Sequence, residues 1–264
     1  MKRFYYWLTY GNFWIAFGAA GLTFSNLLLI YNQVDYSAIL LSFLVTLGAY
    51  NFQRIRRAKE LSSSSNKDNW LFENRKKLSY LLICSLVLSF LLLLSIDFQK
   101  LMCFIPLLAI VLLYRWPILG ISLRDVPGIK IFLIAISWGL VTVLIPDLFC
   151  GNIFIPSWKY VFTSTLYVLA ITIPFDIRDY SVDDSSKKTI PQLIGLQKAT
   201  ILAVLILLAL TATFCFYFHH TMMGLYCLLT SFVVSFSFKI RPDWYYSFIL
   251  DGLLVLMPLT FIFQ

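Results

Sequence analysis

Charge is what this chain has least of. Only 13% of its 264 residues are Asp, Glu, Lys or Arg, 60% are hydrophobic, and the mean hydropathy is +0.81. A soluble globular domain carries about 25% charged residues, so that class is excluded. Acids are scarcer still, 13 against 21 Lys and Arg. The resulting +8 balance is spread over short connections, with no basic domain to wrap a duplex, so no nucleic-acid partner is expected. Cys84, Cys103, Cys150, Cys215 and Cys227 stand singly without any CxxC, which argues against a disulfide framework and for packing roles. No small-residue cleavage pattern follows "MKRFYYWLTYGNFW", so the first apolar stretch reads as a retained anchor with an interfacial aromatic entry. A long soluble insertion is missing too. The longest connection is Asn51–Lys77, with a Ser62–Ser65 run as a loop tip.

What the chain has in quantity is apolar runs. They cover Leu22–Tyr31, Ala38–Phe52, Leu78–Ile96, Leu101–Tyr114, Ile131–Ile145, Val161–Phe175, Ile201–Tyr217, Leu225–Phe238 and Tyr245–Phe263, the first beginning near Asn12. A spanning helix needs roughly 20 mostly apolar residues, fewer where flanking aromatics and cations snorkel. The expectation is an all-α, polytopic membrane protein, one integral membrane domain over 1–264, with nine transmembrane helices in a bundle. Charge tests that count. All Lys and Arg except Lys100 and Lys159 fall in the N-terminus and the connections near 51–77, 114–130, 176–198 and 238–243. By the positive-inside rule these are cytoplasmic, with the N-terminus inside and the C-terminus on the opposite side.

One connection carries chemistry. In "AITIPFDIRDYSVDDSSKKTIPQLIG" an apolar run ends in Asp176, Asp179 and Asp183. If the sixth span continues as a helix, these fall at i, i+3 and i+7 on one stripe. Such acids repel one another at a membrane edge, and a divalent cation reverses the sign of that interaction. Mg²⁺ in particular takes a few carboxylates together with waters and substrate phosphate oxygens. Arg178, Lys187 and Lys188 are cations beside the same stripe.

"DIRDYSVD" followed by "KKTIPQLIG" resembles the second aspartate-rich motif of the UbiA family of intramembrane prenyltransferases, an Asp-x-x-Asp-x-x-x-Asp pattern followed by a basic residue, Thr, a hydrophobic residue and Pro. Asp176, Asp179, Asp183, Lys188, Thr189 and Pro191 match it. "YRWPILGISLRDVPGIKIFLIAISWG" is similar to the family's connection between the fourth and fifth helices at Tyr114, Pro117, Arg124, Pro127 and Lys130, with Arg115 and Arg124 departing from the usual Ser and Lys. The resemblance covers nearly the whole chain and implies the nine-helix prenyltransferase fold. It implies transfer of a prenyl group from a polyprenyl diphosphate to an apolar or aromatic acceptor, with Mg²⁺ on Asp176, Asp179 and Asp183.

The family's first motif, Asn-Asp-x-x-Asp-x-x-x-Asp, reads here as "YNFQRIRRAKE". Asn51 is kept, while Phe52, Ile55 and Lys59 stand at the acidic positions and Arg54, Arg56 and Arg57 have entered. One expected Mg²⁺ site therefore remains. Arginines in place of the second can grip a diphosphate directly through charge-assisted, bidentate hydrogen bonds. Asn51, Arg54, Arg124, Lys130 and Lys188 are the expected diphosphate ligands. Tyr114, Arg178 and Asp251, the last an acid inside the final span, are further cavity candidates. Two other readings stay open: a catalytically inactive homologue that binds prenyl diphosphate or lipid, and a membrane transporter.

Overall fold

The computed structural model describes residues 2–60, 66–102, 105, 126–150, 157–181 and 188–262, and the described residues are helical with no strand. Helix α1 spans Lys2–Tyr10, α2 Phe13–Tyr31, α3 Tyr36–Glu60 and α4 Asn66–Leu93. Helix α5 spans Lys130–Cys150, α6 Trp158–Arg178, α7 Leu196–Ala212 and α8 Thr221–Ser235. The last helix, α9, covers Tyr245–Phe261 as a π-helical start, an α-helical turn at Asp251–Leu256 and a 3₁₀ end. Seven of these, α2 to α8 with its flanking turns, are long and apolar enough to cross a membrane, and α9 is a shorter apolar helix. The expected span Leu101–Tyr114 falls almost wholly outside the described residues.

Contacts run α2 to α3, α3 to α5, α5 to α6, α6 to α7, α7 to α8, α8 to α9 and α9 back to α2, closing a ring. Helix α4 packs on the outside of α3. It exposes Ile83, Leu86, Val87, Phe90 and Leu91, as a helix bathed in lipid on one side would. Within the ring the main core joins α2, α5, α6, α7, α8 and α9 around residues such as Ala19, Tyr167, Ile173 and Tyr246.

Lipid offers helices no hydrophobic reason to associate, so small residues and polar ties decide the packing. Buried Asn26 of α2 donates to the Thr142 carbonyl of α5 and to Ser164 Oγ of α6, both at 3.1 Å. Tyr167 of α6 meets Thr230 of α8 at 3.0 Å, and the Tyr226 hydroxyl of α8 donates to the Leu253 carbonyl of α9. Asp147, near the end of α5, is buried, accepting from the Tyr31 hydroxyl at 2.5 Å and the Ser157 amide at 3.2 Å.

The sixth span does not continue as far as its sequence suggests. Helix α6 ends at Arg178, Asp179 caps it outside the helical region (φ −85°, ψ 2°), and the Tyr180 amide turns back to the Ile177 carbonyl. The expected helical stripe of three aspartates is thus shortened to Asp176 and Asp179, and Asp183 lies outside the described residues. Pro174, inside the helix, lacks the N–H that would bond the Ala170 carbonyl, yet the helix runs on past it to Arg178.

Close approach between α2 and α9 depends on glycine. A Cβ at Gly21 would run into the Leu254 carbonyl, and one at Gly18 would sit 3.0 Å from Leu254 Cβ. Gly21→Ala is expected to lower stability by about 1–3 kcal/mol through overpacking, read as a drop in Tm in detergent. Gly48→Ala, whose Cβ would meet only the rotatable Ser85 hydroxyl, should cost less. Equal Tm values for Gly21→Ala and wild type would contradict the tight α2–α9 contact.

Candidate functional site

The ring encloses a cavity of about 300 Å³, within the range of small-ligand pockets. Helix α5 contributes Lys130, Ile134 and Trp138, four residues apart on one face. Helix α6 adds Val168, Ile171, Thr172, Phe175, Asp176 and Arg178, and Asp179 follows at its end. Tyr50, Gln53 and Arg54 come from α3, and Thr9, Tyr10, Asn12, Trp14 and Ile15 from the α1–α2 corner. Asp243, Ser247, Asp251 and Leu254 form the face of α9 and the residues before it. Polar groups gather at the end where α5 begins and α6 stops.

Asp176 is 3% exposed, and Lys130 Nζ donates to its Oδ1 at 3.3 Å. Asp179 accepts from Arg178 Nε at 2.7 Å and from Nη2 at 3.1 Å. The Arg178 guanidinium also lies over the Phe175 and Tyr246 rings, 5.4 Å from each centroid, and the Asp243 and Asp251 carboxylates act on it through space. Burial, then Tyr5, Tyr6 and Asp243, push the Tyr10 phenol above its ordinary value, while the Arg54 charge opposes them.

Of the residues singled out in the sequence, the cavity brings together Asp176, Asp179, Arg54, Lys130, Arg178 and Asp251. Tyr114, Arg124 and Asp183 lie outside the described residues. Lys188 is exposed with φ +46° and is not part of the wall, although its carbonyl lies near Gly128, just before α5. Asn51 is fully buried behind the wall. It accepts from Asn12 Nδ2 at 2.8 Å and turns its own Nδ2 toward the Gly11 carbonyl at 3.5 Å.

That last contact orients both amides. A carbonyl can only accept, so Asn51 shows Nδ2 to Gly11 and Oδ1 to Asn12, which must answer with its Nδ2. Asn12 Oδ1 is left buried with no hydrogen-bond partner among the described residues. Asn12, Tyr50, Trp138 and Ser247 were not singled out from the sequence. The polar "TYGN" break before the first span is the signal that marks Asn12, since its left-handed backbone (φ 65°) suits an Asn.

Carboxylates and a buried amide oxygen are hard donors that suit Mg²⁺. Among the described residues no group of three or more His, Cys, Asp or Glu is gathered as for a metal, and the carboxylates that α6 and its end bring to the cavity are Asp176 and Asp179.

No protein-family model matches the chain, and no curated protein matches it by sequence. Solved structures do match. The apo structure of a UbiA homologue from Aeropyrum pernix K1 superposes with a TM-score of 0.62 at 16% identity, covering 93% of this chain and 94% of that one. A UbiA homologue from Archaeoglobus fulgidus bound to GPP and Mg²⁺ gives 0.61 at 12% identity, covering 95% and 96%, and its complex with DMAPP and Mg²⁺ gives 0.59 at 13%, covering 96% and 99%. At these identities the likeness establishes the fold: the chain is a helical membrane bundle of UbiA type.

Because Asn51 spends its amide on the α1–α2 corner, Asn51→Ala should act on stability. Leaving Asn12 without its partner costs about 1–3 kcal/mol. A lower Tm with diphosphate affinity inside about twofold of wild type is expected. A large affinity loss at unchanged Tm would return Asn51 to the ligand shell.

Proposed function

We propose that this chain is an intramembrane prenyltransferase of the UbiA family, binding a prenyl diphosphate in the cavity and passing the prenyl group to an apolar or aromatic acceptor. The observation that carries this reading is Asp176, buried in the cavity wall and answered by Lys130 at 3.3 Å, in a fold shared with homologues bound to GPP and DMAPP. The site faces the cytoplasm with the N-terminus, the C-terminus lies across the membrane, and residues 1–264 act as one membrane domain.

Charge bookkeeping argues for a cation. Among the described lining residues Arg54, Lys130 and Arg178 face Asp176, Asp179, Asp243 and Asp251, so the wall is not basic enough to draw in a diphosphate alone. Asp176 and Asp179 would hold one Mg²⁺, which supplies Lewis-acid neutralisation of the phosphate oxygens when bound. Arg54 stands where the first acidic motif is lost and offers a planar fork to the same oxygens.

The reaction needs the allylic C–O bond to break with its electron pair leaving on diphosphate. Lys130 and Arg54 meet the charge that grows there, in a site where preorganised charges act at low dielectric. Trp14 and Phe175 line the apolar part, and aromatic faces stabilise a cation by ~0.5–2 kcal/mol each. The acceptor attacks the cationic carbon, and the proton it releases passes to Asp251, a carboxylate of the wall. The internal pairing of Asp176 and Asp179 also favours a second reading, a homologue that binds prenyl diphosphate without transferring it.

The test is a thermal-shift and diphosphate-release assay in detergent with DMAPP, GPP and longer homologues, with and without Mg²⁺. Stabilisation requiring both ligand and metal is expected by linkage, with release once an acceptor is present. Arg54→Ala should weaken binding about 10- to 150-fold, the loss of a charge-assisted hydrogen bond worth ~1.5–3 kcal/mol. Asp176→Asn should remove the Mg²⁺ dependence. Binding without release under all acceptors selects the second reading, and no shift with any prenyl diphosphate rejects both.

A further inference from the structure

A smaller cavity of about 120 Å³ lies between α3 and α5, beside the first. Val45, Thr46 and Ala49 wall it on one side, and Leu133, Ser137 and Val141 on the other. It shares Tyr50, Gln53, Ile134 and Trp138 with the larger cavity, so these four side chains form the partition between the two. Across that partition Trp138 Nε1 donates to the Tyr50 hydroxyl at 3.3 Å. Ser137 spends its hydroxyl on the Leu133 carbonyl at 2.7 Å, leaving an apolar lining. The far end is closed by the cluster of Leu27, Ala38, Leu41, Val141 and Ile145, on which Val45 packs.

The crevice runs away from the charged end. Arg54, next to Gln53, and Lys130, one turn before Ile134, line the larger cavity, and from Gln53 to Val45 the crevice follows about two turns of α3, roughly 12 Å at ~1.5 Å per residue. An elongated molecule with an anionic head and a hydrocarbon tail has this shape. The obstacle is the partition. The indole N–H is satisfied by the phenol oxygen, and parting them in a dry site strands that N–H.

We propose that the tail of the bound prenyl ligand enters this α3–α5 crevice and that the Trp138–Tyr50 pair sets the length it accepts. The inference rests on the prenyl-diphosphate reading of the larger cavity. A short tail ends against the rings, and a longer one must displace Trp138 to reach Ala49 and Val45. Affinity per added methylene then depends on whether the crevice is open, since apolar burial repays each group only where there is room.

The experiment measures affinities of inorganic diphosphate, of prenyl diphosphates with one to four isoprene units, and of the matching prenyl alcohols, for the full chain in detergent. Trp138→Ala is expected to raise the affinity ratio of the longest to the shortest ligand about tenfold. Ala49→Leu fills the crevice and should lower that ratio about tenfold, so the two changes act in opposite directions and do not share a folding defect. Inorganic diphosphate should stay within about twofold in both. If both variants change every tail length by one common factor, the tail lies elsewhere and the proposal is overturned. Should the diphosphates fail to bind while the alcohols still change length preference as stated, the crevice assignment holds and the headgroup reading fails. Alcohols and diphosphates alike indifferent to both substitutions would overturn it as well.

Discussion

The charged end of the cavity is centred on one ion pair, Lys130 with Asp176. Its two charges sit where helix electrostatics oppose them. Lys130 is the first residue of α5 and Asp176 lies in the last turn of α6, whereas cations are favoured at helix C-termini and anions at N-termini, by ~0.3–1 kcal/mol each. Asp176 is also almost fully buried. A buried pair seldom contributes net stability over an apolar replacement, although losing one partner costs about 3–5 kcal/mol. Two charges kept against both gradients are better explained by what they hold than by what they stabilise.

The same balance explains why Arg178 and Arg54 differ. Arg178 is spent, forked onto its neighbour Asp179 and stacked on Phe175 and Tyr246, so it fixes the orientation of Asp179 more than it offers a free charge. Arg54 reaches the cavity from α3, near enough to Tyr10 to oppose the upward push on its phenol. A diphosphate arriving with a metal would exchange partners with Lys130 and Asp176 instead of meeting a bare acidic wall, which is how a site with more Asp than Lys and Arg can still take an anion.

Seven of the expected spans were legible because crossing a membrane demands length and apolarity, both visible in a single run such as Ile131–Ile145. The charged end was legible too, since Asp176, Asp179, Arg54 and Lys130 are costly residues at membrane edges and few in number. What hydropathy cannot carry is phase. Helices α2 and α5 are apolar on every side, so nothing in their pattern says that Trp138 and Ile134 face the cavity while Phe132 and Ile136 are exposed. The partners of Asn51 were hidden for a related reason: the motif names a residue type at a position, and only the α1–α2 corner folding against α3 gives it Asn12 and Gly11. The end of α6 at Arg178 is set by local backbone geometry at Asp179 and Tyr180, which a three-and-seven spacing of acids does not encode.

The far wall of the cavity shows how distant parts of the chain cooperate. Asp243, Ser247 and Asp251 lie along the start of α9, where Tyr245–Leu250 forms a π-helical stretch, a rare geometry that tends to occur at functional sites. The α-helical turn that follows can carry Asp251 to the cavity only if α9 lies close on α2, and that distance is set by Gly18 and Gly21, beside Leu254. Trp14 completes the contact, stacking on Phe248 with centroids 4.9 Å apart and donating Nε1 to the Phe248 carbonyl at 3.0 Å. That hydrogen bond supplies a donor to a carbonyl of the widened turn, so the irregular backbone is satisfied from α2. An acid deep in an apolar helix is thus held in place by two glycines and one indole near the other end of the sequence.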